Sequence, residues 1–273
     1  ENLGKEDEEF WSSGMTADLI TKVAGAGLIR VAPLDDILKL DKELSIEEKA
    51  KKLRVKYLLT HSFLIKDDSF DLWCKLENVE NGVALFSNKI SEPMAMATQM
   101  VGKLANDIIT SLKVETKQDV MKAPTNNAEA YEYYLRAKHK WEKRLKLEDK
   151  EIVRMLLHKS IELDDKLLAS KILLGRTYLW KIPYYRVLDE NGDKEKAKEI
   201  CNNVVLESQV IGDKLWQGRA YRHIGIIFHR QNNYEAALEY SIKALEISEI
   251  LDDKVGIALA LNNIGGFYAE EGK

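Results

Sequence analysis

The chain has 273 residues, 45% of them hydrophobic and 32% charged, with a formal net charge of −4. These values suit one large or two ordinary globular domains, and speak against a disordered chain or the basic excess of a general nucleic-acid binder. No apolar run approaches the roughly 18 residues that cross a bilayer. No signal peptide is evident, and the first residue is Glu1 rather than Met, so an element is expected to be missing in front. The two cysteines, Cys74 and Cys201, have no metal-ligand spacing. Cys74 alternates with apolar neighbours and reads as a buried thiol, while the redox compartment stays open.

In the first half, Met15, Leu19, Ile20 and Val23 fall on one helical face, and Gly25 and Gly27 allow that helix to stop. The run LIRVAP, closed by Pro33, predicts a short strand. Ser45 followed three residues later by Glu48 is the capping-box spacing for a second helix. VKYLLTHSFLI reverts to extended structure, with KDDS at 66–69 as a turn. Phe70, Leu72, Cys74 and Leu76 alternate with Asp71, Trp73 and Lys75 as in a half-buried strand. Asn81-Gly82 signals a two-residue hairpin, VALFSNKI returns, and a long helix is predicted from Ser91 to about 113. The order implies an α/β domain over 1–116 with a mixed sheet, its first strand missing from this chain.

A polar segment at 117–127 containing Pro124 reads as a linker. Residues 128–273 are helical and repeat themselves: Leu174-Gly175-Tyr178, Ile224-Gly225-Phe228 and Ile264-Gly265-Tyr268 share one pattern. The glycines stand fifty and then forty residues apart, with KIPYYRVLDENGD as an insertion in the first interval. Trp180, Tyr184 and Tyr185 there read as packing or a partner patch. In NNYEAALEYSIKALEI the small residues Ala237 and Ala244 let two helices approach at Gly225, with Phe228 and Tyr234 filling the groove between pairs. In residue type and spacing this resembles the tetratricopeptide (TPR) family, although forty residues exceed its usual 34. The resemblance implies an all-α TPR solenoid after the α/β domain. NNIGGFYAEEGK would be the first helix of an incomplete last repeat, with Gly272 at its turn, or else a terminal cap. A fragment of a longer protein is the expectation.

Glu1-Asn2-Leu3-Gly4, followed by Trp11, Gly14, Met15 and Leu19, resembles the opening of TolB-like amino-terminal domains, including the flagellar FlgO-type variant. AKKLRVKYLLTHSFLIKDDSFDLWCKLENVENGVALFSNKI resembles their later part. This domain order is similar to the carboxy-terminal region of bacterial signalling proteins that carry an upstream class III adenylate/guanylate cyclase domain. The resemblance therefore implies a partner within the same polypeptide, an absent output domain.

Chemistry is sparse. GAG at 25–27 follows a helix and cannot cradle a phosphate at a helix start. His61, His139, His158, His223 and His229 form no zinc-type pair, and His223 and His229 lie on different faces. Asp35-Asp36 and Asp67-Asp68 read as helix-start and turn residues, and KLRVK and KWEKRLK as solvated faces. No catalytic residue, metal site or cofactor is expected. Helical phase instead directs Arg176, Arg219, Arg222, His229, Arg230 and Asn262 to the concave side of the repeats, where arginines could hold an acidic peptide or a carboxy terminus. The expectation is a non-catalytic regulatory or protein-interaction region, with a protein or peptide partner and no nucleic acid. A small-molecule sensor with its pocket in the α/β domain and a cell-envelope adaptor are the rivals. Self-association stays open, as does the side of the membrane, the cytoplasm being slightly favoured.

Overall fold

A computed structural model describes residues 2–26, 30–41, 43–116, 119–143, 147–179 and 192–271. Trp180, the insertion as far as Asn191 with Tyr184 and Tyr185, Gly27, Gly272, and parts of LIRVAP, of the linker and of KWEKRLK lie outside the described residues. The chain divides into two compact units, Glu1–Ala128 and Glu129–Lys273.

In the first unit, helices α1 (Glu9–Gly25), α2 (Leu34–Leu38) and α3 (Ile46–Leu53) precede strands β1 (Tyr57–Lys66), β2 (Ser69–Asn78) and β3 (Val83–Pro93), and helix α4 (Ala97–Ser111) follows. The strands form an antiparallel sheet in the order β1-β2-β3. Its one parallel contact among the described residues is a bridge from Asn2 to Phe63, where Leu3 N–H donates to the Phe63 carbonyl at 2.9 Å.

Phe70, Leu72, Cys74 and Leu76 are buried as their alternation predicts. Phe70 stacks on Phe63, centroids 5.3 Å apart, and meets Trp11 of α1 edge-on at 5.4 Å. Val101, Leu104 and Ile108 of α4 add to this core. The opposite face is polar, with Lys89 paired to Asp71 at 2.9 Å and lying over the Trp73 ring.

Several local expectations need correction. Residues 30–33 form no strand: Pro33 has no N–H for a ladder and its extended backbone opens α2, while Arg30 donates to the Arg54 carbonyl at 2.7 Å. α1 starts at Glu9 and stops at Gly25 without left-handed angles there, its cap Ala26 having φ −69°. β3 continues past Ser91 to Pro93, since Ser69 still pairs with Pro93, and a 3-10 turn at Met94–Met96 delays α4. The two-residue turn is Asp67-Asp68, both with positive φ, not Asn81-Gly82. Residues 79–82 form a four-residue connection in which Gly82 alone takes positive φ, followed by a register shift at Leu76/Glu77. The capping box is formed: Glu48 N–H donates to Ser45 Oγ at 3.2 Å, and Ser45 N–H to Glu48 Oε2 at 2.9 Å. The linker is partly anchored, because Lys22 Nζ donates to the carbonyls of Val120 and Lys122 at 3.0 and 2.8 Å.

The second unit consists of α5 (Ala128–Glu142), α6 (Leu147–Leu163), α7 (Leu168–Leu179), α8 (Asp193–Val210), α9 (Lys214–Arg230), α10 (Tyr234–Ile250) and α11 (Lys254–Glu271). From α6 onward each helix packs on the next, and the alternate pairs α7/α9 and α9/α11 also touch. Three-residue loops join the later helices: Ile211-Gly212-Asp213, Gln231-Asn232-Asn233 and Leu251-Asp252-Asp253. In each, the middle residue takes positive φ and the third caps the next helix through its side-chain oxygen. Such tight loops force neighbouring helices to run antiparallel.

Of the repeated glycines, Gly225 marks a close helix contact. A Cβ on Gly225 would lie 2.7 Å from Ser241 Oγ and 3.1 Å from the Ala237 carbonyl oxygen, and one on Gly175 3.4 Å from Cys201 Sγ. At Gly265 it would meet nothing within 4 Å. Phe228 stacks on Tyr240, whereas Tyr234 meets His229 edge-on. At the start of the unit, buried Ser160 donates to the Ala130 carbonyl or shares a 2.7 Å bond with Ser170, linking α5, α6 and α7.

Candidate anion-binding groove

α5, α7 and α9 together line a cavity of about 230 Å³, between Trp141, Arg176, Leu179, Arg222, His223, Ile226 and Arg230. The repeat explains part of the convergence. Arg176 and Ile226 each directly follow an equivalent glycine, so they occupy the same phase on α7 and α9. Arg222 and Arg230 are eight residues apart on α9, near two turns, and so share its inner side. Trp141, Leu179 and His223 are buried, Arg222 and Arg230 half-buried, and Arg176 is open to the groove.

Each arginine is partly fixed. Arg230 Nη1 donates to the Leu179 carbonyl at the end of α7. Arg222 Nη2 stands 3.1 Å from His223 Nε2. Since a guanidinium only donates, His223 accepts there and carries its proton on Nδ1. The Arg176 guanidinium lies 5.8 Å from the centre of the Trp141 ring, at the outer limit of a cation–π contact.

The groove is electrostatically unbalanced. Burial lowers the pKa of Arg222 to about 10, and the charges of Arg176 and Arg219 add to the effect. Burial lowers Arg230 as well; Arg176, though exposed at the groove, is lowered by the dehydrating atoms around it, with Tyr134 and Glu142 partly opposing the effect. His223 is held well below its usual value, first by burial and then by the surrounding arginines, so it is neutral at pH 7. No ion pair joins Arg176, Arg222 or Arg230 to a carboxylate among the described residues.

Three of the six residues expected on the concave face meet in this cavity: Arg176, Arg222 and Arg230. Arg219 stays outside its lining, its guanidinium 4.5 Å from the Trp216 ring centre, yet its charge reaches Arg222 and His223. His229 departs from expectation. Its ring stacks on Phe267 of α11 at 4.4 Å and its Nε2 lies 2.9 Å from Glu270, so it serves contact between α9 and α11. At the last turn of α9, the aromatic face of Phe267 outweighs helical phase. Asn262 is exposed on α11 and is not part of the lining. Phase counting missed Trp141, Leu179, His223 and Ile226. The glycine markers would have found Ile226, whereas Trp141 lies on a helix whose repeat pattern is irregular.

Among the described residues no group of three or more His, Cys, Asp or Glu could hold a metal ion, and no helix is long and apolar enough to cross a membrane. Both thiols are buried and free, and burial raises their pKa values, that of Cys201 to about 12. No protein-family model matches the chain, and a search of the curated proteins returns no relative.

Proposed function

We propose that the helical unit is a tetratricopeptide-type array whose inner helices α5, α7 and α9 form a groove for an acidic segment of a partner protein. The observation that carries this reading is the set of three arginines around one cavity, without carboxylate ion pairs among the described residues. Placing like charges together in a partly dehydrated groove costs free energy in the ligand-free protein, and an incoming anion recovers it. The close approach at Gly225 supports the repeat assignment, since the missing side chain admits the following helix there. Buried, weakly acidic thiols fit a non-catalytic role. The TolB-like resemblance of the first unit supports a regulatory region of a larger bacterial signalling protein, with a nucleotide cyclase as its suspected output domain.

The test is calorimetric titration of the chain with a short peptide rich in Asp and Glu. Binding is expected to weaken as salt rises, and to weaken further in Arg176→Ala and Arg222→Ala. Equal affinity in both variants would sink the reading. The rival of a ligand pocket in the first unit gains no support from the cavity among Met15, Leu19, His61, Leu72 and Leu104, which measures about 10 Å³, the space of one water.

A further inference from the structure

The groove assigned above to an acidic partner says more about the chemistry of its ligand. Arg176, Arg222 and Arg230 bring three guanidinium charges to one cavity. Among the described residues, the carboxylate whose charge acts on any of them is Glu142, which acts on Arg176. Among the described residues, then, the three guanidinium charges face one carboxylate charge. A ligand carboxylate brings one negative charge and two oxygens, and would leave a guanidinium unmatched in the groove. A phosphoryl group brings about −1.5 to −2 at neutral pH and three strong acceptor oxygens.

The donors are also arranged for a group with more than one bonding edge. A guanidinium has five N–H donors in a rigid fork. Arg222 commits Nη2 to His223 and Arg230 commits Nη1 to the Leu179 carbonyl, which fixes both side chains and leaves their other donors available. The two come from the same side of α9, while Arg176 approaches from α7 with Trp141 beside it. Forks entering from two helices suit a tetrahedral anion better than a planar one. His223, neutral and accepting, adds no charge of its own and instead orients Arg222.

We infer that the group seated between Arg176, Arg222 and Arg230 is a phosphoryl dianion rather than a carboxylate, borne either by a phosphorylated side chain of a protein or by a small phosphate monoester. This rests on the acidic-partner reading and narrows it to one chemical class.

The experiment titrates the full chain at fixed salt with three probes: an acidic peptide containing one phosphoserine, the same peptide with Glu in its place, and free O-phosphoserine. The phosphopeptide is expected to bind about ten-fold or more tightly than its Glu counterpart, as a second charge-assisted contact implies. Arg222→Gln and Arg176→Gln should each remove that preference, and Arg222→Lys, which keeps the charge and loses the fork, should remove most of it. The ³¹P resonance of the bound phosphoserine should shift in the parent and not in Arg222→Gln. Binding of O-phosphoserine at the strength of the phosphopeptide assigns the site to small phosphate esters, and binding of the peptide alone assigns it to phosphorylated proteins; both uphold the inference. Equal or tighter binding of the Glu peptide overturns the phosphoryl preference while leaving an acidic groove. Binding of none of the three overturns both readings. Melting curves separate misfolding from lost contacts, because removing one of three neighbouring like charges should leave the midpoint unchanged or higher.

Discussion

The two units treat their polar groups in opposite ways. In the first, α1, α4 and the sheet close over Phe63, Phe70 and Leu72 and leave about 10 Å³ beside His61. In the second, the inner helices keep about 230 Å³ open among three arginines. Another arginine of the second unit sharpens the contrast. Arg154 on α6 donates to Thr177 Oγ1 at 3.1 Å, pairs with Glu151 at 3.0 Å and covers the Tyr178 ring at 3.8 Å. Lys150 joins the same cluster through Asp193 at 3.2 Å. Arg154 is satisfied by its own protein and acts as a structural tie. Arg222, on the inner face, is held in place but meets no neutralising carboxylate among the described residues. Surplus charge of that kind is the feature on which the proposed binding role rests.

The contrast can be broken first by opening the closed unit. Trp11 is 1% exposed and packed on Phe70, so Trp11→Ala should cost about 3–5 kcal/mol in urea unfolding. A loss below about 1 kcal/mol would mean that the layer is less tightly filled than the contacts imply.

A second test uses pH. Burial lowers the pKa of His61 to about 4, below the value near 6.5 of an unfolded chain. A depressed histidine contributes stability that is complete above pH 6.5 and is lost as pH falls toward 4. Its share of that loss is on the order of 3 kcal/mol. His61→Leu should flatten the fall by a similar amount, measured as unfolding free energy from pH 7 to pH 4. An unchanged slope would exclude this imidazole as the responsive group.

The smallest test compares two glycines in the second unit. Gly225→Ala forces a Cβ against Ser241 and Ala237 and should cost about 1–3 kcal/mol. Gly265→Ala enters open space within a helix and should gain about 0.5–1 kcal/mol. Equal shifts in melting temperature would show that α9 and α10 are not held by close approach at Gly225.

What could be read from the sequence followed the reach of each signal. The capping box at Ser45 and Glu48 and the alternation from Phe70 to Leu76 are local, and both are present. Gly225 was legible because Ala237, a small residue on the next helix, stood ready to meet it, whereas Gly265 shares the pattern and meets nothing. LIRVAP misled because apolar β-branched content does not supply a neighbouring strand, and Pro33 ends the run. The groove was half legible. Helical phase placed Arg176, Arg222 and Arg230 on one side, but the depth of a cavity depends on which residue faces it from another helix. Trp141 and His223 acquire their roles only through that packing. His229 shows the converse: its phase was right for the groove, and its stacking partner Phe267 lies 38 positions further along the chain.

The loops of the second unit carry one more consequence. Each connection from α8 onward contains its own left-handed residue and its own cap, at Gly212-Asp213, Asn232-Asn233 and Asp252-Asp253. A gene encoding such hairpins can duplicate or delete one in frame without inventing new punctuation, and the groove lengthens or shortens by a whole step. Under the proposed repeat reading, reach evolves in whole steps, whereas ligand preference would evolve by single arginines.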